Sequence, residues 1–528
     1  MRLGYVPALD GVRISPVVIS RIAAYAIAML LPLLAKLPTL NNRILFIDEP
    51  LYLAQAARLD NLGAFIFSAQ YRVEPKFQLG LFPDIAALYI SQPYAIFWLH
   101  VFALISMVIS ACLLIALSNI AFDSYVPGVF TIAALALYQN RSPSTAASLL
   151  ETFQLPFLLA SALFLFSGLS SIEQRKHSAL LLFGSGASCA LATLIKPPGI
   201  VVLPVIVGLV ALVGREQRRF LLTSIVSVIG GCALPLLLFL MPYLFNEVAL
   251  HSLLFSFLVV APEYPSYAGM GKPFLEGVTT LMRYFGLVSV LTFAIVLVLG
   301  PALLARLPGA ERSTTKRYEL ALLCMGILLF LGYATGQSKD HYLIAVLPFL
   351  GLFTVQRLRL ILRSQTSIRL QRTVATFLVV LFMVQELQSF AFYGSLFSDD
   401  SKYYSSEGQE AKDMLLADYI RTNTAPQESI WVYYNSPEIY WLADRKPATD
   451  DPTGSWLSAQ HTERWIDKMH SDLLRDKPVL IVTMSDPHYP VDGSPPLEDM
   501  PGLGELLRSD YECGLHPDLG AGICRLQR

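Results

Sequence analysis

The sequence predicts a multi-span α-helical membrane protein of about eleven transmembrane helices, each needing roughly 20 apolar residues, with a small C-terminal α/β external domain. Three observations predict it. Long apolar runs recur from residue 16 to about 392. Of the 528 residues, 54% are hydrophobic and 15% charged, against about 45–50% and 25% in ordinary soluble domains. From about 393 onward, mixed charges and short apolar patches replace the long runs.

The runs lie near 16–35, 94–119, 125–138, 152–170, 179–195, 198–213, 220–244, 281–305, 318–335, 342–356 and 374–392. The third, sixth and tenth are short for a bilayer, and the fifth and sixth read equally as one broken helix. The first run is long and lacks a small-residue cleavage site, so it reads as a signal anchor. Residues 1–392 are expected to form the membrane module, with a long first external loop over 36–92, and 393–528 a soluble domain.

Lys and Arg collect in cytoplasmic loops. One set of loops carries Arg175 and Lys176, then Arg215, Arg218 and Arg219, then Arg306, Arg312, Lys316 and Arg317, then Arg357, Arg359, Arg363, Arg369 and Arg372. Arg2, Arg13 and Arg21 precede or open the first run. The opposite set holds mostly single cations, Arg141, Lys196, Lys272 and Lys339. The N-terminus is therefore expected in the cytoplasm, and the 36–92 loop and the tail outside.

In the tail, GQEAKDMLLADYIRTN reads as a helix and ESIWVYY as a strand rich in β-branched and aromatic residues. AQHTERWIDKMHSDLLRDK and PVLIVTM repeat that order, which suggests a small α/β unit. The tail holds no nucleophile elbow, P-loop or dinucleotide fingerprint. Cys513 and Cys524 stand eleven apart in it. A disulfide and two separate thiols are both open readings. No basic arm or nucleic-acid motif is present, so nucleic acid is not an expected partner.

The polar residues of the external loops gather at span mouths. Asp48, Glu49, Arg72 and Lys76 lie in the first loop, Arg141 and then Glu151 in the loop between the third and fourth runs, Lys196 ends the fifth, and Lys339, Asp340 and His341 open the tenth. LYLAQAARLDNLGAF places apolar residues along one helical face, suited to lying on the membrane surface. Charged groups at membrane depth are costly and mark sites, pathways or pairs.

These residues carry a resemblance. IDEPLYLAQAARL in the first external loop, Lys196 with its prolines in LIKPPG, SKDHYLIAVLP late in the membrane region, and IWVYYNSPEIYWLADRKPA in the tail resemble motifs of the polytopic GT-C glycosyltransferases. The branch is that of the protein O-mannosyltransferases and the aminoarabinose–lipid A transferases (glycosyltransferase family 39-like). YRVEPKFQLGLFPD matches the family's K-P-P-type segment only loosely. The resemblance implies an integral protein of the bacterial inner membrane. Its donor would be a polyprenyl-phosphate-linked sugar, its acceptor a lipid, polysaccharide or protein on the external face, and its stereochemistry inverting.

Such a reaction needs a base for the acceptor hydroxyl and cations for the departing lipid phosphate. Asp48 is the candidate base. An N-cap role for Asp48 and Glu49 as the true base remain open alternatives. Lys339, His341, Lys196, Arg72, Lys76 and Arg141 are the candidate phosphate ligands. Glu151, Asp340, Tyr52 and Tyr342 are candidates for orienting the acceptor. No D-x-D stands in the first loop and no cofactor or metal site follows from the residues, with a divalent metal left open. The competing classes are a flippase of lipid-linked sugars, which would be expected to show internal repeats and midplane polar groups, and an O-antigen ligase or polymerase, whose large external loop would lie between late spans.

Overall fold

The computed structural model describes residues 15–40, 44–46, 48–57, 78–173, 178–214, 218–245, 274–285, 309–334, 339–364, 394, 409–433, 436–449, 452, 463–484, 497 and 502–527. In chain order, the helices up to the tail are α1 (Pro16–Lys36), α2 (Asp48–Ala57), α3 (Phe82–Ile90), α4 (Ala95–Phe122), α5 (Val126–Gln139) and the single turn α6 (Pro143–Ala146). They continue with α7 (Leu150–Glu173), α8 (Ala179–Ile195), α9 (Leu203–Gly214), α10 (Arg218–Leu244), α11 (Phe274–Phe285), α12 (Gly309–Ala334) and α13 (Leu343–Ser364).

Among the described residues, seven helical segments are long and apolar enough to cross a membrane. The chain is an integral membrane protein. The predicted runs near 125–138 and 179–195 form helices of 14 and 17 residues, α5 and α8. The run near 374–392 and most of that near 281–305 lie outside the described residues. The fifth and sixth runs are two helices, not one. Lys196 adopts an extended backbone, and the Pro197–Val202 3₁₀ turn separates α8 from α9. Pro197 and Pro198 each lack the N–H that would continue the α8 ladder.

Leu222, Val226, Ile229, Leu237 and Leu238 of α10 are exposed, a face suited to lipid rather than water. Elsewhere α10 meets α8 at glycines. A Cβ on Gly186 would sit 2.0 Å from the Val228 carbonyl oxygen, and one on Gly231 equally close to that of Phe183. Close backbone approach through small residues is the usual way membrane helices gain contact.

The tail contains α14 (Gln409–Asn423), β1 (Ser429–Tyr433), α15 (Glu438–Ala443), β2 (Lys446–Pro447), α16 (Glu463–Arg475), β3 (Leu480–Met484), α17 (Leu503–Asp510), β4 (Tyr511–His516) and β5 (Ala521–Leu526). The sheet runs β2-β1-β3-β5-β4. β1 is parallel to β2 and β3, while β5 is antiparallel to β3 and β4. Cys513 and Cys524, partners in the β4–β5 register, are disulfide-bonded. Pro447 sits on an edge strand, where its missing N–H costs no ladder bond.

The tail rests on the bundle through α2. Ala54 joins the apolar cluster of Leu416, Ile439 and Tyr440. Gln92, just before α4, donates its side-chain amide to the Asp444 carboxylate. Arg445 organises the turn at the end of the IWVYYNSPEIYWLADRKPA stretch. Its guanidinium donates to Thr424 Oγ1 and to the carbonyls of Arg421, Ala443, Asp444 and Thr424, locking the ends of α14 and α15 together.

Candidate functional site

The two adjacent acids of α2 have different surroundings. Glu49 is fully buried. Its Oε2 accepts the Leu45 N–H at 2.8 Å, and its Oε1 accepts the Ser148 N–H at 2.7 Å and lies 3.0 Å from His100 Nε2. One carboxylate thus ties the chain before α2, the loop before α7 and the body of α4. Burial pushes the Glu49 carboxyl up, but His100 and the two backbone N–H groups outweigh it and hold the group below the ordinary carboxylate range. Lys36, buried at the end of α1, lies near enough to feel the Glu49 charge and donates to the Ala146 carbonyl.

Asp48 is half-buried. Its hydrogen bond among the described residues comes from the Tyr52 hydroxyl, one turn on, at 3.3 Å. No first-turn N–H of α2 caps onto its carboxylate among the described residues, so the N-cap alternative finds no bond there.

A second carboxylate, Glu151 at the start of α7, is buried and paired with Lys196. The Lys196 ammonium lies 4.1 Å from the Tyr342 ring centroid and 5.5 Å from that of Tyr333. The two phenol rings stack at 5.0 Å. Cation and aromatic faces attract in this geometry, more so when water is excluded. Gln154, one turn beyond Glu151, fixes the end of α8 by donating to the carbonyls of Ala192 and Lys196, and accepts the Tyr333 hydroxyl at 2.5 Å.

A third carboxylate closes the rim. Asp340 accepts the hydroxyls of Ser142 and Ser144, each at 2.6 Å, and the His341 N–H at 2.8 Å. Tyr138 of α5 donates to its carbonyl. These bonds join the α6 turn to the turn that opens α13. His341 is buried, its ring 5.7 Å from Phe46 and 4.7 Å from Tyr342. Its Nδ1, 3.6 Å from an Asp340 oxygen, has no hydrogen-bond partner among the described residues.

One region therefore gathers Asp48, Tyr52, Glu151, Lys196, Asp340, His341 and Tyr342. The Tyr342 phenol lies within electrostatic reach of both Glu151 and Asp48. Lys339 is exposed beside them. Arg141 donates to the Tyr284 carbonyl near the end of α11, and its guanidinium lies 6.0 Å from the ring of Tyr138. Arg72 and Lys76 lie outside the described residues. Sequence reading missed Lys36, His100, Gln154 and Tyr333. His100 and Gln154 carried a signal, being polar residues inside apolar runs. Among the described residues, no group of three or more His, Cys, Asp or Glu side chains is placed to hold a metal ion.

Neither a protein-family model nor a curated protein sequence matches the chain. Solved structures do. The chain is similar to ArnT from Cupriavidus metallidurans bound to undecaprenyl phosphate, at 14% identity over 96% of this chain and 97% of that one, with a TM-score of 0.57. The apo state of the same protein aligns at 14% identity over 97% and 98% of the two chains, with a TM-score of 0.54. The oligosaccharyltransferase AglB from Archaeoglobus fulgidus, in complex with an inhibitory peptide and a dolichol-phosphate, aligns at 11% identity over 96% of this chain and 74% of that one, with a TM-score of 0.50. The chain shares the fold of these solved structures, and in it a helical membrane module is followed by the α/β tail.

Proposed function

We propose that this chain is a glycosyltransferase that moves a sugar from a polyprenyl-phosphate carrier to an acceptor hydroxyl on the external face of the membrane, with inversion at the anomeric carbon. The observation that carries the reading is the contrast at the rim. Glu49, Glu151 and Asp340 each join separate segments of the chain, while Asp48 holds one hydrogen bond among the described residues, from the Tyr52 phenol, and stands within electrostatic reach of Tyr342. A carboxylate placed in that way has lone pairs to spare for a proton. The undecaprenyl phosphate of ArnT and the dolichol-phosphate of AglB support a lipid-phosphate donor. The loop charge asymmetry supports an N-terminus in the cytoplasm and the site outside.

In this mechanism Asp48 takes the acceptor's proton as its oxygen forms the new bond to the anomeric carbon. The bond from that carbon to the phosphate oxygen breaks on the opposite side. The departing polyprenyl phosphate keeps the electron pair, and Lys196, Lys339 and His341 offset its charge. Lys196 has three N–H donors, so its pairing with Glu151 leaves others for a phosphate. Its place beside Glu151 and the two phenols supports a phosphate position next to Lys196.

The test is to incubate the purified protein in lipid with a panel of polyprenyl-phosphate sugars and candidate acceptors, and to follow free polyprenyl phosphate. Acceptor-dependent release from at least one donor is expected. Transport of the intact donor across a sealed vesicle, with no release from any donor, would overturn the proposal in favour of a flippase.

A further inference from the structure

A cleft of about 750 Å³ lies between α2, α3 and the tail, away from the residues assigned to sugar transfer. Its volume falls within the range of about 300–1,000 Å³ typical of small-molecule sites. At 3.6 residues per turn, Asp48 and Tyr52 share one face of α2, while Leu53, Ala54 and Ala57 line the cleft from the other. Ile85 and Ala86 of α3 form its second wall, and Tyr440 and Trp441 of α15 its third. The polar lining, Gln92, Asp444, Arg445 and Lys446, clusters where the tail meets the start of α4.

The chemistry of the walls selects an occupant. Arg445 has five N–H groups, and its side chain makes five hydrogen bonds, all to Thr424 Oγ1 and backbone carbonyls. The Asp444 carboxylate is engaged by Gln92. The Arg445 guanidinium is thus taken up internally, and what faces the cavity is mostly hydrocarbon and aromatic ring. A sugar or a free phosphate finds little to bind; an alkyl chain fits.

The surroundings select its source. Gln92, on the rim, is the first residue of a membrane-crossing segment. Tyr89, Ile90 and Tyr94, the last residues of α3 and the approach to α4, are 92%, 48% and 59% exposed. Tyr is enriched at the membrane–water boundary, and an exposed apolar row leading into a span is continuous with the bilayer surface. We propose that the cleft holds one acyl chain of a membrane phospholipid, with its headgroup at the polar rim by Gln92 and Lys446. The chain braces the face of α2 opposite Asp48 and joins helix, membrane and tail. The site stands apart from the sugar-transfer reading, and so does its test.

Trp441 is a reporter built into the wall. The full-length protein is placed in nanodiscs of phospholipid brominated along the acyl chains, and in nanodiscs of the same unbrominated lipid. The emission of the Trp441→Phe variant is subtracted from that of the unmodified protein, which isolates one of the five tryptophans. Bromine is expected to remove most of the Trp441 emission. In Ala86→Phe, whose ring projects into the cleft across the path of the acyl chain, most of that emission should return. Trp441 emission that is equal in the two lipids would overturn the proposal, and this arm needs no cleft variant to fold. Quenching that persists undiminished in Ala86→Phe would also overturn it, because the bromine would then reach Trp441 from the bulk bilayer.

Discussion

The rim of the bundle and the tail that rests on it bury polar groups in opposite ways. At the rim, carboxylates join segments far apart in the chain: Glu49 reaches His100 and Ser148, Glu151 reaches Lys196, and Asp340 reaches Ser142 and Ser144. In the tail, apolar cores on the two faces of the sheet do that work, assisted by Arg445 and one disulfide. A hydrophobic core sets overall shape but is tolerant of small shifts. Buried charge pairs tolerate far less, because an uncompensated charge in low dielectric is expensive. The rim is therefore built for fixed geometry, and among the described residues Asp48 is the acid there with a single hydrogen bond.

The sharpest way to break this contrast is Asp48→Asn. Asparagine keeps the size and the Tyr52 contact but cannot take a proton. A fall in kcat of about 10²–10⁴-fold, the usual contribution of a positioned base, is expected with an unchanged melting midpoint. Transfer at the wild-type rate would place Asp48 among the structural acids.

The neighbouring acid should show the reverse pattern. Glu49→Ala leaves the buried N–H groups of Leu45 and Ser148 without their acceptor and takes the carboxylate away from His100. A loss of about 3–5 kcal/mol of stability is expected, as for other broken buried pairs, read by thermal unfolding in detergent. Full stability with lost turnover would exchange the roles of the two residues.

Part of this difference was legible in the sequence and part was not. Apolar length gives seven of the eleven predicted runs as helices long enough to cross a membrane among the described residues, since hydrocarbon thickness sets that length, and the tail's first two helix–strand pairs follow their periodicity. β4 and β5 escaped notice because YECGLH and AGICRL have little apolar alternation; their pairing comes from the hairpin and from Cys513 with Cys524. The cluster at the rim was readable as polar residues at span mouths. Which acid is tied down was not, because His100 reaches Glu49 from 51 positions away. The bond from Arg141 to the Tyr284 carbonyl was likewise not readable, because it spans 143 positions.

In the tail, Glu438 marks where the apolar strategy meets a charge. It is buried, and burial first, then the buried Asp413 carboxylate, pushes its pKa up to about 8. Its folded value lies above the unfolded one, so its contribution to stability is fully present below about pH 4.5 and is lost as the pH rises to about 8. Glu438→Gln should remove that slope and stabilise the tail at pH 8 by up to about 4 kcal/mol, at roughly 1.4 kcal/mol per pKa unit. Parallel unfolding curves for the two proteins from pH 5 to 8 would show that Glu438 is ionised in the folded tail.

The disulfide tests whether the two regions are separable. It closes a loop of eleven residues, worth about 3 kcal/mol by loop entropy. In the full-length Cys513→Ser/Cys524→Ser protein, the tail should melt earlier by that amount while the bundle helices melt as before. Activity at room temperature should be unchanged, because neither cysteine approaches the rim. On heating, activity should disappear with the tail and not with the bundle. Ala54 lies in the tail's apolar cluster and Asp48 on the same short helix, so a tail that unfolds frees α2 from one side. Turnover that survives tail unfolding and stops only when the bundle melts would mean that Glu49 and its partners hold Asp48 without the tail.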